Sequence, residues 1–147
     1  MAMPQKSYAQ LTKYYAFIHY VSRSLNPPQS VKENCEWQYA IVKVKPDRQG
    51  RIINCSILNK VSDDLKNSFG FLKGYQFPAS MHINGRPVVF CVSIMNEKSA
   101  CATQRLYTPS QSLGIVFADL RVQQMHQPQT LFLFDMVDVV YSSDAVR

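Results

Sequence analysis

The chain has 147 residues, of which 46% are hydrophobic and 18% charged; this balance excludes disorder, which combines low hydrophobicity with high net charge. The length suits a single domain spanning 1–147 with one core. The formal charge of +6 lies toward the front: residues 1–97 carry twelve basic and six acidic side chains, residues 98–147 four of each.

A basic face can steer nucleic acid, anionic lipid or an acidic protein. Here the cations come singly rather than in runs, which describes a solvated basic surface. No stretch reaches the roughly 18–20 apolar residues of a membrane-spanning helix. The opening Met-Ala-Met-Pro-Gln-Lys-Ser lacks the basic and then apolar regions of a secretory signal.

In chain order, Leu11, Tyr14 or Tyr15, Ile18, Val21 and Leu25 recur every three or four residues and predict a helix over 7–25. Asn26-Pro27-Pro28 ends it, because a residue before proline leaves the helical region. Residues 29–36 are polar, with room for one helical turn. Residues 37–45 read as a strand with Ala40, Val42 and Val44 on one face and Tyr39, Ile41, Lys43 and Lys45 on the other. Pro46-Asp47-Arg48-Gln49-Gly50 makes a turn, and 51–58 returns as the second strand of a hairpin, with Ile53, Cys55 and Ile57 opposed to Ile52, Asn54 and Leu58.

Ser62-Asp63-Asp64 provides an N-cap and negative charge at the start of a second helix. Its stripe is Leu65, Phe69 and Leu72, and it runs to about Lys73, weakened by Gly70 and stopped by Gly74 and Pro78. Asn84-Gly85-Arg86-Pro87 is a turn. Residues 88–94 form an apolar run rich in β-branched residues, as expected of a strand covered on both faces. After a polar region over 96–112, the runs 113–122 and 130–141 both read as strands, although the first also fits a short helix. The fold expected is therefore α+β, an antiparallel-containing sheet packed by two helices, with two further carboxy-terminal strands.

Motifs for chemistry are sparse. The five glycines form neither a dinucleotide fingerprint nor a phosphate loop. There is no nucleophile elbow and no local Cys/His signature. Asp63 and Asp64, the one adjacent acidic pair, suit helix capping better than acid–base work. Asp135 and Asp138 suit a solvent-facing edge or a turn that interrupts the strand. His19 on the first helix reads as an ordinary core or surface residue. Cys35, Cys55, Cys91 and Cys101 show no C-x-x-C spacing and lie apart from His19, His82 and His126, so no zinc site is expected. Four cysteines permit two disulfides in three pairings, but the apolar surroundings of Cys55 and Cys91 favour free thiols acting as small hydrophobes. The residues point to no cofactor and to binding rather than catalysis.

The order helix, hairpin, helix, strand resembles the carboxy-terminal domain of TonB and its TolA-like relatives over about residues 11–95. The hairpin Ala40-Ile41-Val42-Lys43-Val44-Lys45-Pro46-Asp47 with Gly50-Arg51-Ile52-Ile53-Asn54 is similar to the family's. So are Phe77-Pro78-Ala79 and the turn and strand Asn84-Gly85-Arg86-Pro87-Val88-Val89-Phe90. The chain departs from the pattern at Asn26-Pro27-Pro28, at Glu36-Trp37, and in having Tyr75 where the family carries a tryptophan.

The resemblance implies a periplasmic module, its membrane anchor elsewhere, in bacterial envelope transport or energy transduction. It would pair a short protein segment, such as part of an outer-membrane receptor, as an extra strand. The pairing edge would be Val88, Val89, Phe90, Cys91, Val92, Ser93 and Ile94, provided that 96–147, outside the resemblance, leaves it open. A cytoplasmic nucleic-acid-binding domain using Lys43, Lys45, Arg48 and Arg51 near Tyr39 is the alternative, although no RNA-binding aromatic string accompanies them.

Overall fold

In the computed structural model, residues 5–33, 35, 37–96, 109–133 and 136–141 are described. The elements run α1 (Gln5–Ser24), α2 (Gln29–Lys32), β1 (Gln38–Pro46), β2 (Ile52–Ile57), α3 (Asp63–Asn67), two 3-10 turns (Gly70–Leu72 and Ala79–Met81), β3 (Val88–Asn96), α4 (Pro109–His126), β4 (Leu131–Phe132) and β5 (Val137–Tyr141). The α+β class holds. The mixed sheet has the order β2-β1-β3-β4, with β5 also on β3.

The β1 alternation divides the core in two. Ala40, Val42 and Val44 face one layer with Val88, Phe90, Val92 and Ile94 of β3, under Phe17, Val21 and Leu25 and under Leu65, Phe69 and Leu72. Phe17 centres an aromatic cluster, its ring 4.8 Å from Phe77 and 5.0 Å from Phe90. On the opposite face Ile41, Val89 and Cys91 meet Val116 and Leu120 of α4 together with Phe132. Both faces of β3 are thus buried, as its continuous apolar run requires.

The run 113–122 is helix, not strand: it forms the middle of α4, the crossover that returns the chain so that β4 and β5 can pair with β3 in parallel. The run 130–141 is two short strands rather than one. Asp135, between them, lies outside the described residues, as does most of the polar region 96–112. The second helix also stops early. Ser62 caps α3 by accepting from the Leu65 amide at 3.2 Å, but the helix ends at Asn67 and the chain continues through the 3-10 turn at Gly70.

The hairpin faces need one correction. Pro46 pairs with Ile52 whereas Lys45 pairs with Asn54, so Ile53 is the extra residue of a bulge. The bulge resets the alternation: Ile52, Cys55 and Ile57 all pack toward the α1 layer, Ile53 is exposed, and Leu58 packs beneath α4. At the turn, Asp47 Oδ1 accepts from the Gln49 and Arg51 amides. Gly50 at φ +91° brings its backbone against Phe77, where a Cβ would sit 3.2 Å from the Phe77 carbonyl oxygen.

Candidate functional site

Strand addition needs main-chain N–H and C=O groups on a strand edge without a partner. Their locations follow from the hydrogen-bond alternation of an antiparallel ladder. Leu58 N donates to Ile41 O at 2.8 Å, and the Ile41 amide points the same way, toward the Asn59 side chain at 2.7 Å. The groups of Ile41 therefore face β2, and those of Val42 face β3. By the same alternation Val89, Cys91, Ser93 and Met95 present their main-chain groups to the far side of β3.

That far side is occupied. Val88 and Val89 pair with Leu131 and Phe132, and residues 92–96 pair with 137–141, all in parallel. Leu131 N and Leu133 N donate to Pro87 O and Val89 O at 2.9 and 2.8 Å. The expected pairing edge, Val88 to Ile94, is thus interior, with β1 on one side and the chain's own carboxy-terminal strands on the other. The sequence pattern did not reveal this, because a parallel neighbour arrives by a long crossover and leaves no local mark. A partner would reach β3 only by displacing β4 and β5, exposing Phe132, Leu133, Val137 and Val139, all buried. At about 1.5–3 kcal/mol for each buried side chain, this costs about 6–12 kcal/mol, comparable with the entire stability of a domain.

The outer edge of β2 differs. Its first rung is covered: Ile52 N donates to Tyr75 O at 2.9 Å and Gly74 N to Ile52 O at 2.9 Å. Past the bulge, the alternation fixed by Leu58 turns Ser56 toward β1 and turns Cys55 and Ile57 outward. The Cys55 amide donates to its neighbour Asn54 Oδ1 at 2.8 Å. The Cys55 carbonyl and both main-chain groups of Ile57 face no strand among the described residues. Beside them opens a cleft of about 360 Å³ between Cys55–Ile57 and the segment from α3 through the 3-10 turn.

Lys66 and Lys73 stand on the far wall with Phe69 at its back, and among the described residues no acidic side chain lines the cleft. Leu65, Phe69 and Leu72, all buried, fix that wall to the core. Burial pushes the Cys55 thiol up to about 11, while the Lys73 ammonium draws it down.

The remaining candidates do not gather into a site. Lys43 donates to Gln127 at 3.2 Å beneath the end of α4, apart from the exposed Arg48 and Arg51 of the turn. Tyr39 lies half-buried against Trp37, whose indole donates to Ser93 Oγ at 2.6 Å. His19 is exposed and stacks on Tyr15. Asp63 and Asp64 lie in the first turn of α3. Burial raises the pKa of Asp138 on β5.

Cys55 and Cys91 are free thiols, whereas Cys35 is disulfide-bonded to a partner outside the described residues. Among the described residues no group of His, Cys, Asp and Glu could hold a metal ion, and no helix is long and apolar enough to cross a membrane. Comparison of the chain with known protein families, with curated proteins and with solved structures finds no match.

Proposed function

We propose that this chain is a protein- or peptide-binding module of TonB-like fold, acting by strand addition in bacterial envelope transport or energy transduction. On this reading it binds rather than catalyses, and its compartment is the periplasm. The element order α1, β1-β2 hairpin, α3, β3 supports the resemblance. The observation that carries the binding mode is the outer edge of β2, where the Cys55 carbonyl and both main-chain groups of Ile57 face no strand among the described residues and lie beside an open cleft. Since the carboxy-terminal strands lie on β3, the partner strand adds at the opposite end of the sheet from the edge that the resemblance implies.

The test is a titration of isotope-labelled protein with a short extended peptide and, separately, with single-stranded RNA at low and high salt. Strand addition predicts amide shifts centred on 55–57 with the peptide. Tight RNA binding that weakens steeply with salt, with no response to peptide, would refute this reading and support the nucleic-acid one.

A further inference from the structure

We infer that the segment added to β2 is acidic, carrying carboxylates at alternate positions that Lys66 and Lys73 receive. The inference rests on the strand-addition reading above and names the chemistry of its partner. In an added strand, every second side chain points to the same face of the sheet. On β2 the face that holds Cys55 and Ile57 is the one packed by α1 and α3, so alternate side chains of the incoming segment turn toward α3 and enter the cleft.

There they meet Lys66 and Lys73, both exposed, with no acidic residue lining the cleft among the described residues. Asp63 and Asp64 belong to the first turn of the same short helix and line no part of the cleft. Among the described residues the two ammonium groups therefore share the cleft with no lining carboxylate, in a chain whose formal charge is +6. A basic segment would bring like charge into this cleft. A neutral one would leave both lysines to water and gain nothing from them. Only an acidic one gains both the main-chain pairing and the charge match, and complementarity of this kind fixes partner choice and register more than total affinity.

The side chains facing the other way emerge beside Asn54 and Ser56, both exposed and polar. The site therefore asks little of the partner's outward residues. The specificity predicted is for a pattern, acidic at every second residue in an extended stretch, rather than for one sequence.

The experiment uses three short acetylated peptides that alternate threonine with glutamate, with glutamine or with lysine, titrated into the full chain while the amides of residues 55–57 are followed. The glutamate peptide is expected to shift these amides and bind at least about tenfold more tightly than the glutamine peptide, with affinity falling as salt rises. In the double variant Lys66→Glu, Lys73→Glu the preference should reverse toward the lysine peptide, an outcome that a merely damaged protein would not give.

Equal binding of glutamate and glutamine peptides at 55–57 would overturn the acidic inference and leave strand addition standing. Failure of all three peptides to shift these amides would overturn both. Shifts that grow with protein concentration in the absence of peptide would identify a second copy of the chain as the occupant, and would overturn the inference as well.

Discussion

Two proline substitutions on neighbouring residues of β2 give opposite expectations. The hydrogen-bond alternation turns the Ser56 amide toward β1, opposite Lys43, and the Ile57 amide away from the sheet. Proline removes the amide hydrogen and is tolerated in strands only where that hydrogen is not a rung. Ser56→Pro loses one ladder bond, about 1 kcal/mol net, and leaves a carbonyl on β1 without its donor, about 1–3 kcal/mol more. The expected loss is about 2–4 kcal/mol.

Ile57→Pro loses no rung. Ile57 is half-buried, and full burial of such a side chain contributes about 1.5–3 kcal/mol, so replacing it with a ring that keeps part of the contact costs about 1 kcal/mol. Urea denaturation of the two variants and of an Ile57→Val control measures the difference. Ile57→Pro should also abolish the peptide response at the edge, while Ile57→Val keeps it. If Ser56→Pro proves the milder of the two, the assignment of which groups face outward is wrong, and the cleft loses its pairing edge.

Other outcomes rest on the same geometry. Burial, then Asp138 and Asp119, push the Cys91 thiol from 9.0 up to about 12. Because the folded value is raised, its contribution to stability is complete below pH 9 and is lost as pH rises from 9 through 12, by on the order of 4 kcal/mol; Cys91→Ala should flatten the denaturation profile in that window, and an unchanged slope would contradict the burial of the thiol. Lys73→Ala removes the charge that lowers the Cys55 thiol, so alkylation of Cys55 should require higher pH in the variant than in the parent. Gly50→Ala places a Cβ on a positive-φ residue 3.2 Å from the Phe77 carbonyl oxygen and should cost more than about 1 kcal/mol, read as a lowered urea midpoint. Val137→Ala, at a fully buried position of β5, should cost about 2 kcal/mol and speed hydrogen exchange at the amides of 137–141.

How much of the fold is legible in the chain depends on how local each signal is. The Ser62 cap, the Pro46 to Gly50 turn and the β1 alternation are contained in a few adjacent residues, and each appears in the structure. The β2 faces are legible past the bulge, where Cys55 and Ile57 oppose Asn54 and Leu58 as the pattern expects, but not before it, because the extra residue Ile53 puts Ile52 on the same face as Cys55. Helix α4 is obscured because it is apolar on two sides. Val116 and Leu120 are buried against the sheet while Ile115, Val122 and Met125 are exposed, so no one-sided period marks it. Phe17, the centre of the aromatic cluster, itself completes a three-and-four spacing with Tyr14, Val21 and Leu25, one position from the Ile18 that the pattern names. The proposed binding edge is the least legible feature. Which strand ends outermost is set by the parallel return of residues 131–141 to β3, a contact between segments about forty residues apart.

The two ends of the sheet can be compared directly by hydrogen exchange, residue by residue, with and without the glutamate peptide at saturation. In the free protein the Ile57 amide should exchange fast and the Ser56 amide slowly; with peptide bound, Ile57 should become protected while Val89, Ser93 and the amides of 137–141 keep their rates. Protection that leaves Ile57 unchanged, accompanied by faster exchange in 137–141, would show that a partner enters by displacing β5 from β3, and would contradict the assignment of the site to β2.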